Sequence, residues 1–156
     1  MFDVKKIIIA TTAAITVGLG GAATAQAQEY GPITGWSNAA GTVKCDHLTV
    51  DGKHYIRCVS PEAVKVMPEC SPPQELVPSF SLENGRSFAS CWNQGLVAQS
   101  HPVRVAWQLF QKGDIWILPT ASQGFHFFSL RGYHGYAGPD AVDTAAGLGK
   151  LSSRLF

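Results

Sequence analysis

Charge is scarce in this chain and neither sign prevails. Its 156 residues carry 12 Lys and Arg against 11 Asp and Glu, 15% of the whole. The basic residues stand singly, so the sequence lacks both the positive footprint that holds nucleic acid and the polybasic cluster that docks on an anionic bilayer. No Gly-x-Ser-x-Gly elbow, phosphate-binding glycine loop, dinucleotide fingerprint or His-Glu-x-x-His run occurs. There is no Cys-x-x-Cys either, and the four cysteines have 12, 11 and 20 residues between them, which is not zinc-ligand spacing. No fixed-period repeat is present. None of these absences rules out a catalytic group assembled from distant loops, which leaves no local spacing to find.

The one long apolar run lies at the N-terminus. Lys5 and Lys6 precede an apolar stretch from Ile7 to Leu19, followed by Ala25-Gln26-Ala27 in the small-x-small form of a signal-peptidase site. The stretch is shorter than the roughly 20 residues needed to span a bilayer, and Gly18, Gly20 and Gly21 break up its end. The pattern predicts a signal peptide over residues 1–27 and a single disulfide-stabilised domain over residues 28–156, secreted or held in the cell envelope, with no membrane span after cleavage. Losing Lys5, Lys6 and Asp3 leaves ten residues of each sign, so the mature protein is formally neutral. No cysteine precedes Cys45, so a lipid anchor on a lipobox cysteine is not expected.

What the mature sequence does contain is a symmetric hairpin. Cys45 and Cys58 lie at equal distances from Asp51-Gly52, a pair suited to the positive φ angles of a two-residue type I′ turn. Counting outward from Val50 opposite Lys53 sets Asp46 opposite Arg57 and Cys45 opposite Cys58. The cysteines then fall at a non-hydrogen-bonded site, where cross-strand side chains come closest. An oxidising compartment and an even cysteine count imply two disulfides, Cys45–Cys58 and, by elimination, Cys70–Cys91. Each would contribute roughly 3 kcal/mol in the chain-entropy picture.

Elsewhere, Glu29 to Thr42 reads as an extended lead-in or an irregular first strand, and Ser60-Pro61-Glu62 as the start of a short helix capped by Ser60 and stopped by Pro68. Asn84-Gly85 marks a second hairpin. Val103 to Leu118 alternates with strand periodicity, and a turn at Lys112-Gly113 would place Val103, Val105, Trp107, Leu109, Trp116 and Leu118 on one apolar face at the centre of the core. Phe125 to Leu130 reads as another strand, Gly132 to Gly138 as a glycine and aromatic loop, and Pro139-Asp140 as the start of a second short helix continued by Leu148, Leu151 and Leu155. The expected fold is mainly β, an antiparallel β sandwich or partly closed barrel with one or two short helices and two disulfides.

Ser90-Cys91-Trp92 resembles the end of the Cys-Gly-Ser-Cys-Trp signature around the nucleophile of papain-like cysteine proteases. The likeness covers three residues. Phe88-Ala89 stands where that family has Cys-Gly, and 65 residues follow Cys91, fewer than the family's spacing to its histidine requires. Within a cystine, Cys91 is a staple instead. His126 or His134 is the general base to expect if the protein is a small extracytoplasmic hydrolase. With Tyr133 and Tyr136, the two histidines also form the set to expect for a metal or haem binder. His47 and His54 are diagonal neighbours on the first hairpin.

The leading expectation is a non-catalytic binding module without a cofactor, whose partner is an extracellular protein or a cell-surface polymer. Trp36, Trp92, Tyr133 and Tyr136 fall outside the clearest strand alternation, and exposed aromatics on a stapled scaffold suit such contacts. Trp36, Trp92, His126, Tyr133, His134 and Tyr136 are accordingly the candidate binding residues.

Overall fold

The structure, a computed structural model, describes residues 28–72 and 75–144. The expected signal peptide and the Leu148, Leu151 and Leu155 spacing lie outside the described residues. Two five-stranded antiparallel sheets pack face to face without closing into a barrel. The first contains β1 (Thr34–Ser37), β2 (Lys44–Val50), β3 (Lys53–Val59), β4 (Val77–Glu83) and β5 (Arg86–Trp92), in that spatial order. The second contains β6 (Phe110–Lys112), β7 (Ile115–Pro119), β8 (Phe125–Ser129), β9 (Gly132–Ala137) and β10 (Val142–Thr144), in spatial order from β10 to β6. Each sheet is therefore a simple meander, and a single crossover connection, residues 93–109, joins them.

The first hairpin has the expected register throughout. Val50 pairs with Lys53, Asp46 with Arg57 and Cys45 with Cys58, and Asp51 and Gly52 take φ values of 48° and 74°. Cys45–Cys58 and Cys70–Cys91 are both formed. Asn84 and Gly85 likewise turn β4 into β5 with positive φ, pairing Glu83 with Arg86.

The third hairpin differs from expectation. Its turn is Gly113-Asp114, with Lys112 paired to Ile115 and Phe110 to Ile117. A turn at Lys112-Gly113 would put Lys112 first; the observed one gives the first central position to Gly113 at φ 61°, where glycine costs nothing. Moving the turn by one residue slides each cross-strand partner by two, so Leu109 still shares a face with Trp116 and Leu118; what differs is which face is buried, since Ile115 and Ile117 enter the core with Phe110 while Trp116 and Leu118 face the other way. The ladder also ends early. The next hydrogen-bonded pair beyond Phe110 and Ile117 would need an N–H from Pro119, which has none. Val103, Val105, Trp107 and Leu109, expected at the centre of the core, are instead exposed.

Three smaller expectations are corrected as well. Gly132 to Ala137 is a strand, because Gly135 leaves room for the Phe80 ring, which a Cβ there would meet at 2.5 Å. Pro139-Asp140 leads into β10 rather than into a helix. Ser60 precedes a single 3-10 turn, Pro61–Lys65, without capping it; its Oγ donates to Gly138 O at 2.6 Å and joins the ends of the two sheets.

The core lies between the sheets. Phe80 stacks on Phe127 with centroids 4.7 Å apart, and Trp36 meets Phe110 and Phe125 edge-on. Such pairs add about 0.5–1.5 kcal/mol to the burial of their area. Near the Asp51-Gly52 end, His47 Nε2 lies 3.0 Å from His54 Nδ1, the rings stacked. Gly113 closes over this pair so tightly that a Cβ would sit 2.2 Å from His54 Cδ2. Burial first, then the neighbouring His54 and Lys112, lowers the His47 pKa to about 4.

His47 is therefore neutral in the fold and binds its proton more readily once unfolded, where its pKa is 6.5. Stability should be complete above that value and decline as pH falls from 6.5 towards 4. Allowing for solvent screening, the loss should be on the order of 1 kcal/mol. Burial also lowers the His134 pKa, so it adds to the same slope. Urea titrations across this range should show the decline in the wild type and a flatter profile in His47→Gln.

Candidate binding surface

The crossover connection starts where β5 ends and runs over the outer face of the first sheet. Alternation along β2 explains what holds it. Cys45 points into the sandwich, so the next residue, Asp46, points out, and it is nearly completely buried there by the crossover. Asp46 Oδ2 accepts from the backbone N–H of Val97 and of Ala98, the latter at 3.1 Å. Oδ1 lies 2.7 Å from His101 Nε2, which must be the donor to an ionised carboxylate. Gly35, beside Asp46 on β1, completes the close approach. A Cβ at Gly35 would lie 2.7 Å from Ser100 O and 2.8 Å from the Ala98 Cβ. The chain then pairs with the β1 edge, Ser37 N–H donating to Pro102 O and Arg104 N–H to Ser37 O.

Between the crossover and the sheet lies a groove of about 240 Å³ lined by Leu48, Tyr55, Arg57, Trp92, Leu96 and Val97 among others. Arg57 fills its floor. The guanidinium lies 3.6 Å from the Trp92 ring centroid, donates to Ser81 Oγ at 3.0 Å and pairs with Glu83 at 3.1 Å. Burial lowers its pKa and Glu83 opposes that shift. Register alone places Asp46 opposite Arg57, but the ion pair goes to Glu83, and Asp46 is taken by the crossover.

The second half of the crossover is held differently. Val105 O accepts from Gln108 N–H, forming a turn whose third residue is Trp107 at φ 68°. That position favours glycine or asparagine, and for a bulky aromatic it is a genuine outlier. Trp107 N–H donates to Pro119 O at 2.9 Å, fixing the turn to the end of β7. Trp107 is 52% exposed, and its chain neighbours Val103, Val105 and Leu109 are exposed too.

The six candidate binding residues divide unequally. Trp36, His126, Tyr133 and Tyr136 are buried, which corrects the expectation that they form a contact surface: the sandwich uses them as packing. The His126 ring contacts Tyr136, and its Nδ1 lies 2.7 Å from the Tyr133 hydroxyl. Trp92 and His134 are partly exposed but line different clefts, Trp92 the groove above and His134 one shared with Lys53, His54, Asp114 and Arg131. His134 Nε2 lies 3.0 Å from Ser129 Oγ, which also accepts the Arg131 N–H, a contact that ties down the β8–β9 turn. Burial lowers the His134 pKa against the opposing charge of Asp114. His126 and His134 thus do not share a site, and Cys91, bonded to Cys70, is not a thiolate. Among the described residues no group of three or more His, Cys, Asp or Glu side chains is arranged to hold a metal ion. His47 and His54 do meet, as a hydrogen-bonded pair.

The features missed by sequence reasoning are the Asp46 clamp, whose partner His101 is 55 positions away, and the exposed row ending at Trp107 and Leu109. The row carried a signal, strand alternation, that belongs equally to a buried face. Comparison with protein-family models, with curated proteins and with solved structures returns no match.

Replacing Asp46 by Ala should cost about 1–3 kcal/mol in urea denaturation, because it leaves two part-buried N–H groups and the His101 ring without their acceptor. Limited proteolysis should then cut within residues 95–104 faster than in the wild type.

Proposed function

We propose that the protein is an extracytoplasmic binding module that acts without catalysis and engages a protein or a cell-surface polymer through its crossover connection. The two disulfides suit an oxidising compartment, and no helix among the described residues is long and apolar enough to cross a membrane. The observation that carries the reading is Trp107, a large aromatic held in solvent at a left-handed φ. Such a conformation costs of order 1–3 kcal/mol and persists only where the surroundings enforce it; strain of this kind clusters at ligand clamps and binding sites. Val103, Val105 and Leu109, within four residues of Trp107 along the chain, are exposed as well, and aromatic anchors flanked by aliphatic contacts dominate protein interfaces. Of the two ligand classes the row favours a protein, since three of its four side chains are aliphatic and offer a polyhydroxyl polymer no hydrogen bond.

Trp107→Gly separates the two sides of this reading. Glycine suits the left-handed position, so the variant should be more stable than the wild type by about 1 kcal/mol in urea. Retention of the labelled mature protein on intact producing cells, and on their extracted envelope proteins, should fall at least about tenfold, as expected for an interface anchor. Equal retention of both forms would overturn the proposal. Retention on isolated cell-wall polymer alone would assign the second ligand class.

A further inference from the structure

A β sheet exposes unpaired backbone at its two edge strands, and soluble proteins cover, shorten or charge them. This sandwich has four edges. β1 is covered by the crossover through the Ser37, Pro102 and Arg104 bonds, and β6 and β10 are three residues each. β5 is seven residues long, and within it only Arg86 is charged and no proline occurs. The Glu83/Arg86 pair flanks a two-residue turn, so Arg86, Phe88, Ser90 and Trp92 direct their backbone groups to β4. Ser87, Ala89 and Cys91 direct theirs away, and among the described residues those groups have no partner. Phe88 stands exposed beside them.

We infer that β5 pairs with β5 of a second copy of this chain, antiparallel and centred on Ala89, extending the first sheet across a two-fold axis. The occupant is chosen by complementarity. A two-fold pairing can be centred on a hydrogen-bonded or a non-hydrogen-bonded pair, and only centring on Ala89 brings all three outward-facing residues into use, Ser87 opposite Cys91 of the copy and Ala89 opposite itself. On the outer face this register sets Phe88 opposite Ser90, large against small. It sets Arg86 opposite Trp92, an indole that already accepts a guanidinium from Arg57 at 3.6 Å. The single charged residue of β5 never faces its own copy, so no like charges oppose. On the other face the facing residues are Ser87, the exposed Ala89 and the bonded Cys91, all small enough for two backbones to approach. This surface is separate from the Trp107 row and does not rest on the binding role given to it.

One strand pair is a small interface, so the association is weak and is measured by sedimentation equilibrium of the mature protein from about 10 µM to about 1 mM. A monomer–dimer equilibrium should appear in that range. Ala89→Pro removes only an outward N–H, which an edge strand tolerates, and should weaken the dimer at least about tenfold. Ala89→Lys leaves the backbone intact and sets two ammonium groups opposite each other, so it should do the same with an unchanged urea midpoint under monomeric conditions. A wild type that stays monomeric throughout, or a dimer that survives both substitutions, would overturn the inference.

Discussion

The arrangement of this protein hangs on one buried carboxylate. Asp46 stands on the strand that also carries Cys45, and successive residues of a strand serve opposite faces. One side of β2 is therefore stapled to β3 beneath the core, and the next residue grips the connection that leads to the second sheet. A charge so buried is tolerated only when its lone pairs are filled, and the two backbone N–H groups and the His101 ring do this. Geometry makes the grip specific. The acceptors lie where Gly35 leaves space for the crossover, so the connection has one seat on the outer face.

From that seat the remaining course of the crossover follows. The chain pairs briefly with β1, turns at Trp107 and enters β6 at Phe110, whose ring returns to the core against Trp36. Two anchors bracket the turn, the Ser37–Arg104 bond before it and the bond to Pro119 O at it. Pro119 has a double role: it stops the β6–β7 ladder for want of an N–H, yet its carbonyl receives Trp107. Four apolar residues of the connection, Val103, Val105, Trp107 and Leu109, are thus left outside. Their exposure is a consequence of backbone hydrogen bonding and runs against their hydrophobicity, which is why it supports a contact role.

Much of the fold was legible because its turns are local. Asp51-Gly52 and Asn84-Gly85 each announce a two-residue turn, and once the turn is placed, every cross-strand pair follows by counting. At the third hairpin the choice between Lys112-Gly113 and Gly113-Asp114 slid the register by two residues without changing which residues share a face; the face holding Leu109, Trp116 and Leu118 is the outer one, because Ile115, Ile117 and Phe110 fill the core instead. The cystines were legible because the register pairs two cysteines and leaves two. The candidate surface was hardly legible at all. Asp46 and His101 are separated by 55 positions with no spacing that marks them. Trp36, Tyr133 and Tyr136 looked like surface aromatics because they break the alternation, but a sandwich needs large side chains at its margins too. Gly135 concealed β9 for a related reason: its value lies in the Phe80 ring packed over it, a contact invisible along the chain.

The crossover also decides which sheet edge remains open. By covering β1 it protects the edge it passes, and by ending at Pro119 O it keeps β6 to three residues. β10 is equally short, which concentrates the unpaired backbone of the sandwich on β5. A long edge is a hazard when it is flat, apolar and accessible to any strand. β5 offers Phe88 and Trp92 on its outer side and three small residues on the other, with Arg86 as its only charge, so the partner it accepts most readily is one whose own edge has the same sequence reversed in direction. The edge and the Trp107 row thus arise from a single cause, the path of residues 93–109, and occupy opposite ends of it. One lies where the connection leaves the first sheet, the other where it enters the second.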